Sequence, residues 1–267
     1  MTARDDVENN LKQCAQLAEK AADRGADFLL FPENFAFLGR HETEKFKIAE
    51  AIGDSPGPIV SALMEIASRH KMWVIGGGMA ELVPEEAEGA ITSTYNTAVV
   101  VSPDAELAAH YRKIHLFDVD IPGGAQLRES DATAPGDELV VVDTPLAQIG
   151  LSICYDVRFP ELYRELTRQG AQLLVVPAAF TAHTGKAHWH TLLRSRAIEN
   201  QCYVLAAGQV GEHNDKRESY GHSQIIDPWG TVLGDAADDE DLVVAEIDLE
   251  LLEKTRQRMP CLDHRRL

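Results

Sequence analysis

Short runs such as DFLLF (27–31), MWVIGGG (72–78), QLLVVP (172–177) and CYVLAAGQ (202–209) carry Val, Ile and Leu on both of their faces. A strand of this kind is stable only if both faces of its sheet are covered. Between the runs lie stretches of helical periodicity. Val7, Leu11, Cys14, Leu17, Ala18 and Ala21 form one apolar stripe, with Asp5 or Asp6 as cap and Gly25 as stop. Further helices are predicted over 55–71, 160–169, 186–200 and 249–258. Strand pairs are predicted around Ser102-Pro103-Asp104, within 138–154, and around Pro228-Trp229-Gly230, and a last strand over 242–248. Two sheets packed face to face between outer helix layers accommodate all of these elements. The 267 residues show no repeat and no low-complexity linker, so one domain over 1–267 is expected.

Composition narrows the function. A formal charge of −18 opposes a nucleic acid partner. No apolar run reaches the roughly 18 residues of a membrane span. The start, MTARDDVENN, is acidic and polar rather than signal-like. Four cysteines (Cys14, Cys154, Cys202, Cys261) lie far apart without CxxC spacing, which fits a reducing cytoplasm better than a disulfide framework or a zinc ribbon. His188 and His190 stand two apart on a predicted helix and face different ways, which argues against a metal held between them. No metal and no cofactor is expected.

In GLSICYDVRFPELYREL (150–166) an apolar run stops at Cys154, and polar residues and a helix pattern follow. A thiol there is either a small core residue or a group at a ligand-binding strand end. Two other strand ends carry ionisable groups: Glu33 in LLFPEN and Lys113 in HYRKIHLFD. Singly they read as a cap and an edge lysine. Together they supply a nucleophile, a proton carrier and a cation that stabilises an oxyanion.

FPENF, YRKIHLFDVDIPGG and ICYDVRFPELYRELTRQGAQLLVVPAAF resemble the nitrilase superfamily of carbon–nitrogen hydrolases, from about residue 5 to the C-terminus. The resemblance implies a four-layer αββα sandwich that pairs into a homodimer or a higher homo-oligomer. It implies Glu33 as general base, Lys113 as transition-state stabiliser, Cys154 as nucleophile, and Glu129, in LRESD, as the residue that orients Lys113. Tyr155, through its backbone N–H, and Arg158, Phe180, Thr181 and Thr184 are the expected substrate contacts. Arg158 is read as a carboxylate clamp or as a salt bridge to Glu161 or Glu165. The stretch from Ala182 to Gly230 resembles the Nit branch and, within it, the deaminated glutathione amidases, with Lys186 where GPAHW has proline. The implied substrate is a small anionic amide, deaminated glutathione. The alternatives are an ω-amidase acting on α-ketoglutaramate and a non-catalytic module on the same scaffold. Family members usually begin with a buried strand before the first helix, so a first β-strand is expected to be missing from this chain. Cys154 is also expected to react with thiol reagents faster than the other three cysteines.

Overall fold

The computed structural model describes residues 1–53, 55–84, 91–120 and 126–266. One sheet has the order β1-β2-β3-β4, from β1 (Phe28–Leu30), β2 (Trp73–Leu82), β3 (Thr94–Val101) and β4 (Leu107–Arg112). Two short strands, β5 (Asp118–Asp120) and β6 (Gln126–Arg128), pair outside it. The second sheet starts with β7 (Val141–Asp143), β8 (Gln148–Gly150) and β9 (Leu173–Val175). It continues through β10 (Tyr203–Ala206) to β13 (Gln224–Ile226) and β14 (Val232–Asp235), in the order β14-β13-β10-β9-β8-β7. A hairpin of β11 (Val210–Asn214) and β12 (Arg217–Tyr220) stands apart from both.

Alternate residues of the first sheet go to different cores. Val74, Val99 and Val101 pack with Cys14, Ala18, Ile59 and Leu63 beneath α1 (Val7–Asp23) and α2 (Pro58–His70). Ile75, Ala98, Val100 and Tyr111 pack instead with Ile149, Leu174 and Val204 of the second sheet. That sheet is covered in turn by α3 (Pro160–Arg168) and α4 (Ala182–Asn200), through Tyr163, Leu166, Trp189 and Leu193. The layers are therefore α, β, β, α, as the two-faced apolar runs require. Asp6 caps α1 by accepting from Asn9 N, and Pro160 occupies the first turn of α3. Among the described residues no helix is long and apolar enough to cross a membrane.

Two features depart from the sequence reading, and the chain start adds a third that it did not anticipate. Residues 242–248 form no strand: their burial alternates, but among the described residues no backbone ladder pairs them with a neighbour. Alternation supplies the faces of a strand, not its partner. α4 begins at Ala182 rather than residue 186, so Lys186 sits inside a helix. Met1–Ala3 make no strand beside β1. They lie against the start of β11, where Val210 N donates to Met1 O at 3.1 Å and Ala3 N to Gln209 Oε1 at 3.0 Å. A last helix, α5 (Leu249–Arg258), follows.

Candidate active site

β1, β2 and β4 run in one direction, with β3 antiparallel between β2 and β4. The C-terminal ends of β1 and β4 therefore open on the same edge of the sheet. Glu33 lies just past β1, and Lys113 directly follows β4. Cys154 lies just past β8, at the start of a short 3₁₀ turn (Cys154–Arg158). The sheets come close where β2 has no side chains. A Cβ on Gly77 would lie 2.1 Å from Phe31 O and 2.3 Å from Pro177 Cβ, and one on Gly78 (φ +158) 2.7 Å from Asn96 Oδ1.

The three groups meet in a buried cluster. Glu33 is 4% exposed, Lys113 2% and Cys154 8%. Lys113 Nζ donates to Glu33 Oε1 at 3.0 Å and to both oxygens of Glu129, at 3.1 and 2.8 Å. The Ala179 N–H donates to Glu33 Oε2 at 2.8 Å. Asn96 Nδ2 bridges the two carboxylates, at 2.8 Å to Glu33 and 3.2 Å to Glu129. Glu129 is itself fixed by the Phe117 N–H at 2.7 Å.

These neighbours set the protonation states. Burial alone would raise the Glu33 carboxyl. The Lys113 charge, the Ala179 amide and a hydrogen bond from Cys154 outweigh it and hold Glu33 below the usual carboxylate range. Burial would lower the Lys113 ammonium, but Glu129 and Glu33 together push it well above the usual lysine range. Burial, and then the Glu33 charge, push the Cys154 thiol well above the usual cysteine range, against the pull of Lys113. The resting cluster is thus a neutral thiol beside a carboxylate and an ammonium. It holds its proton on sulfur until an acceptor is needed.

Burial bears on the expectation about thiol reagents. Cys154 is buried and its thiol is protonated, whereas Cys261 is the exposed cysteine. A bulky reagent is therefore expected to meet Cys261 first, and only a small one that enters the cavity to reach Cys154. Cys14 is a core thiol, pushed up to about 12 by burial.

Cys154 has φ +47, a left-handed conformation that a side-chain-bearing residue adopts at a cost of roughly 1–3 kcal/mol. Asp156, fully buried, holds that turn. It accepts from Ile153 N at 2.8 Å, Tyr111 Oη at 2.7 Å and His115 N at 3.1 Å. The Cys154 N–H also donates to Pro177 O at 2.8 Å. The Tyr155 N–H lies in the first turn of the 3₁₀ segment, where the helix itself supplies no acceptor.

A cavity of about 290 Å³ opens over the cluster, lined by Glu33, Lys113, Glu129 and Cys154 at its floor. Thr181 is part of the lining. Thr184 lies behind Thr181, its hydroxyl 2.7 Å from the Thr181 hydroxyl. Phe180 is 6% exposed and packs on Trp189, outside the lining. The Tyr155 ring packs edge-on to Phe117 and Phe159, also outside the lining. Arg158 pairs with neither Glu161 nor Glu165. Its guanidinium stands 5.1 Å from the Phe180 ring centroid and 3.3 Å from His188 Nδ1. The remaining 121–124 part of the lysine motif lies outside the described residues.

Three side chains were missed in the sequence. Asn96 sits inside a strand, where a polar residue among valines was the available signal. Asp156 follows the thiol so closely that it reads as part of a surface turn. Gln209 donates to the Glu33 carbonyl at 3.0 Å, and as a polar residue at the end of β10 it could have been found by the rule that found the others. The far wall of the cavity comes from the β11–β12 hairpin: His213, Lys216, Arg217, Glu218 and Ser219. Across from it, Glu42 takes ion pairs from both Lys45 and Arg217. Those charges outweigh burial and hold its carboxyl down at about 2.

Layers, strand ends and buried cluster together define an αββα sandwich with a thiol, carboxylate and ammonium at one sheet edge, and the family comparison is decisive: the chain belongs to the carbon–nitrogen hydrolases, whose family model matches residues 2–257. It falls within the Nit branch of the nitrilase superfamily. It is 45% identical to the deaminated glutathione amidase of Synechocystis, over 99% of this chain and 95% of that protein. The structure of the Caenorhabditis elegans NitFhit protein superposes with a TM-score of 0.91 at 42% identity, over 100% of this chain and 63% of that one. Nit3 of Saccharomyces cerevisiae, a member of branch 10 of the nitrilase superfamily, superposes with a TM-score of 0.87 at 32% identity, over 97% and 91% of the two chains.

Proposed function

We propose that residues 1–267 act as one catalytic domain that hydrolyses the amide of deaminated glutathione, giving α-ketoglutarate and cysteinylglycine through a thioester on Cys154. The observation that carries the reading is the convergence of Glu33, Lys113 and Cys154 in one buried cluster under a cavity. A non-catalytic module has no use for a thiol hydrogen-bonded to an anionic carboxylate. The name of the Synechocystis relative supports the choice of substrate.

In this reaction Cys154 Sγ attacks the amide carbonyl while Glu33 takes the thiol proton. The oxyanion is met by the Lys113 ammonium and the Tyr155 N–H. Glu33 returns the proton to the departing cysteinyl nitrogen, and the tetrahedral adduct collapses to the thioester. A water then enters. Glu33 removes its proton, the hydroxyl adds to the thioester, and sulfur leaves with the proton that Glu33 carries. Each half-reaction thus restores the resting protonation, and the net consumption is one water per amide. Glu129 holds Lys113 in place throughout and, with Glu33, faces its single positive charge at rest.

Turnover of three substrates tests the assignment. The expected order of kcat/KM is deaminated glutathione above α-ketoglutaramate, with negligible rates on simple nitriles. A higher value on α-ketoglutaramate moves the protein to the ω-amidases, and no turnover of either amide returns it to a binding module.

Arg158 stands outside the cavity lining and serves as the carboxylate clamp in this reading for a substrate carboxylate that extends past it. It is the cation nearest in sequence to the nucleophile, and no carboxylate among the described residues pairs with it. Arg158→Leu is expected to raise KM for the anionic substrate by roughly 10-fold or more, the scale of a charged hydrogen bond. Unchanged steady-state constants would show that Arg158 only packs against Phe180.

A further inference from the structure

We propose that His190, His222 and Asp235 form a binding site for a single divalent transition-metal ion of the zinc class, separate from the Cys154 cavity. The three come from distant parts of the chain: His190 from α4, His222 from the turn after β12, and Asp235 from the end of β14. One ligand atom from each lies within 4.8 Å of the other two. His222 Nδ1 is 3.0 Å from Asp235 Oδ1, and His190 Nδ1 is 3.9 Å from Asp235 Oδ2. Ligand atoms held at about 2.0–2.2 Å from one zinc ion stand at such separations from each other.

The hydrogen bonds around the cluster turn the right atoms inward. His190 Nε2 lies 3.1 Å from Tyr220 Oη, and His222 Nε2 lies 3.3 Å from Asp238 Oδ1. A proton on each Nε2 satisfies these outer partners and leaves both Nδ1 lone pairs facing Asp235. Outer carboxylate and hydroxyl partners of this kind fix the tautomer of metal-binding histidines. In this arrangement His222 Nδ1 and Asp235 Oδ1 are two acceptors 3.0 Å apart, and a proton or a cation must lie between them. The Gln224 amide nitrogen touches His190 Nδ1 and donates to Asp235 Oδ2 at 2.7 Å, so a donor already sits where those lone pairs converge. Gln224 Oε1 is buried with no partner among the described residues. Rotating the amide would offer that oxygen as a fourth ligand.

The rings are also pre-positioned. Tyr220 and His222 stack at 4.5 Å, and His190 meets His222 edge-on at 4.7 Å. Two imidazoles and one carboxylate select zinc, nickel or copper over magnesium or calcium. The ion would tie α4 to β14 across the 220–223 turn, where His222 adopts φ +53. His188, two residues from His190, faces Arg158 and takes no part.

Equilibrium dialysis against zinc chloride, with metal quantified by elemental analysis, tests the site. The protein carries Cys154→Ala and Cys261→Ala, so that neither thiol takes the ion. One zinc per chain is expected. His190→Ala and Asp235→Asn should each weaken binding at least ~10-fold, while His188→Ala should leave it unchanged. Cobalt soaked into the parent should give visible d–d bands that His190→Ala abolishes, and zinc should raise the Tm of the parent but not of the two variants. Asp235→Asn keeps the acceptor for Gln224, which guards against loss of fold. The proposal is overturned by no binding at 1 mM zinc, by zinc affinity equal in the parent and His190→Ala, or by equal loss in His188→Ala.

Discussion

Cys154→Ala loses turnover by at least about 10⁴-fold and keeps its fold. Among the described residues lining the cavity, Cys154 is the one that carries the sulfur a thioester needs, and Glu33 and Glu129 are both paired with Lys113. The substitution removes one sulfur from a position 8% exposed, and the hydrogen bonds of Asp156 that hold the turn use none of its atoms. A loss of about 1 kcal/mol of stability is the scale for such a change. The rival nucleophile is also on view. Ser219 lines the same cavity, its hydroxyl 2.8 Å from His213 Nε2, while His213 Nδ1 faces Ala3 O at 2.7 Å. Burial first, and then nearby cations, lower His213, so it is neutral and able to accept that proton. A serine–histidine pair of this form is itself a plausible acyl acceptor in geometry. Steady-state rates of Cys154→Ala and of Ser219→Ala separate the two. Near-normal turnover in Cys154→Ala, lost on adding Ser219→Ala, would move the chemistry to the hairpin.

The parts of this site that the sequence displays share one property: they are ionisable residues at the ends of apolar strands. Glu33, Lys113 and Cys154 all stand there, because the sheet ends them on one edge. Glu129 needed the family motif, since its position after β6 gives no periodic signal. Asn96, Asp156 and Gln209 act by fixing other groups, and the partners they fix are remote: Asn96 binds Glu33 63 residues away, and Gln209 binds it 176 residues away. Local pattern carries no information about such pairs. The same limit explains the cavity wall. The β11–β12 hairpin was legible neither as strands nor as lining, because its contacts with Glu42 and the chain start are set by packing. The strand read over 242–248 fails for the complementary reason: its local pattern is right, and Val243 lies beside Gly234 at the edge strand β14, but among the described residues no backbone ladder forms there.

Glu33→Gln is expected to lower kcat by roughly 10²–10⁴-fold, the contribution of a positioned proton carrier. Glutamine has the shape of glutamate, so the effect isolates charge and proton transfer. Its amide cannot accept the Cys154 proton, and it cannot strip a water. It also fits its hydrogen bonds badly in either orientation. With the amide nitrogen where Oε2 was, two donors face each other at the Ala179 N–H, 2.8 Å away. With the nitrogen where Oε1 was, it meets Lys113 Nζ and Asn96 Nδ2 at 3.0 and 2.8 Å. The variant is therefore less stable near neutral pH as well as slower. The pH dependence has a definite sign. Glu33 is held below the usual carboxylate range in the folded state, so its contribution to stability is complete above the unfolded value and is lost as pH falls through the folded one. The stability gap between wild type and Glu33→Gln should accordingly narrow on acidification, in urea titrations run from neutral pH downwards. Because deacylation needs the same base, slow residual attack leaves an α-ketoglutaryl group on Cys154, visible as added mass in the intact protein. Turnover within tenfold of wild type, with no trapped adduct, would reduce Glu33 to a structural anchor for Lys113 and the Ala179 loop.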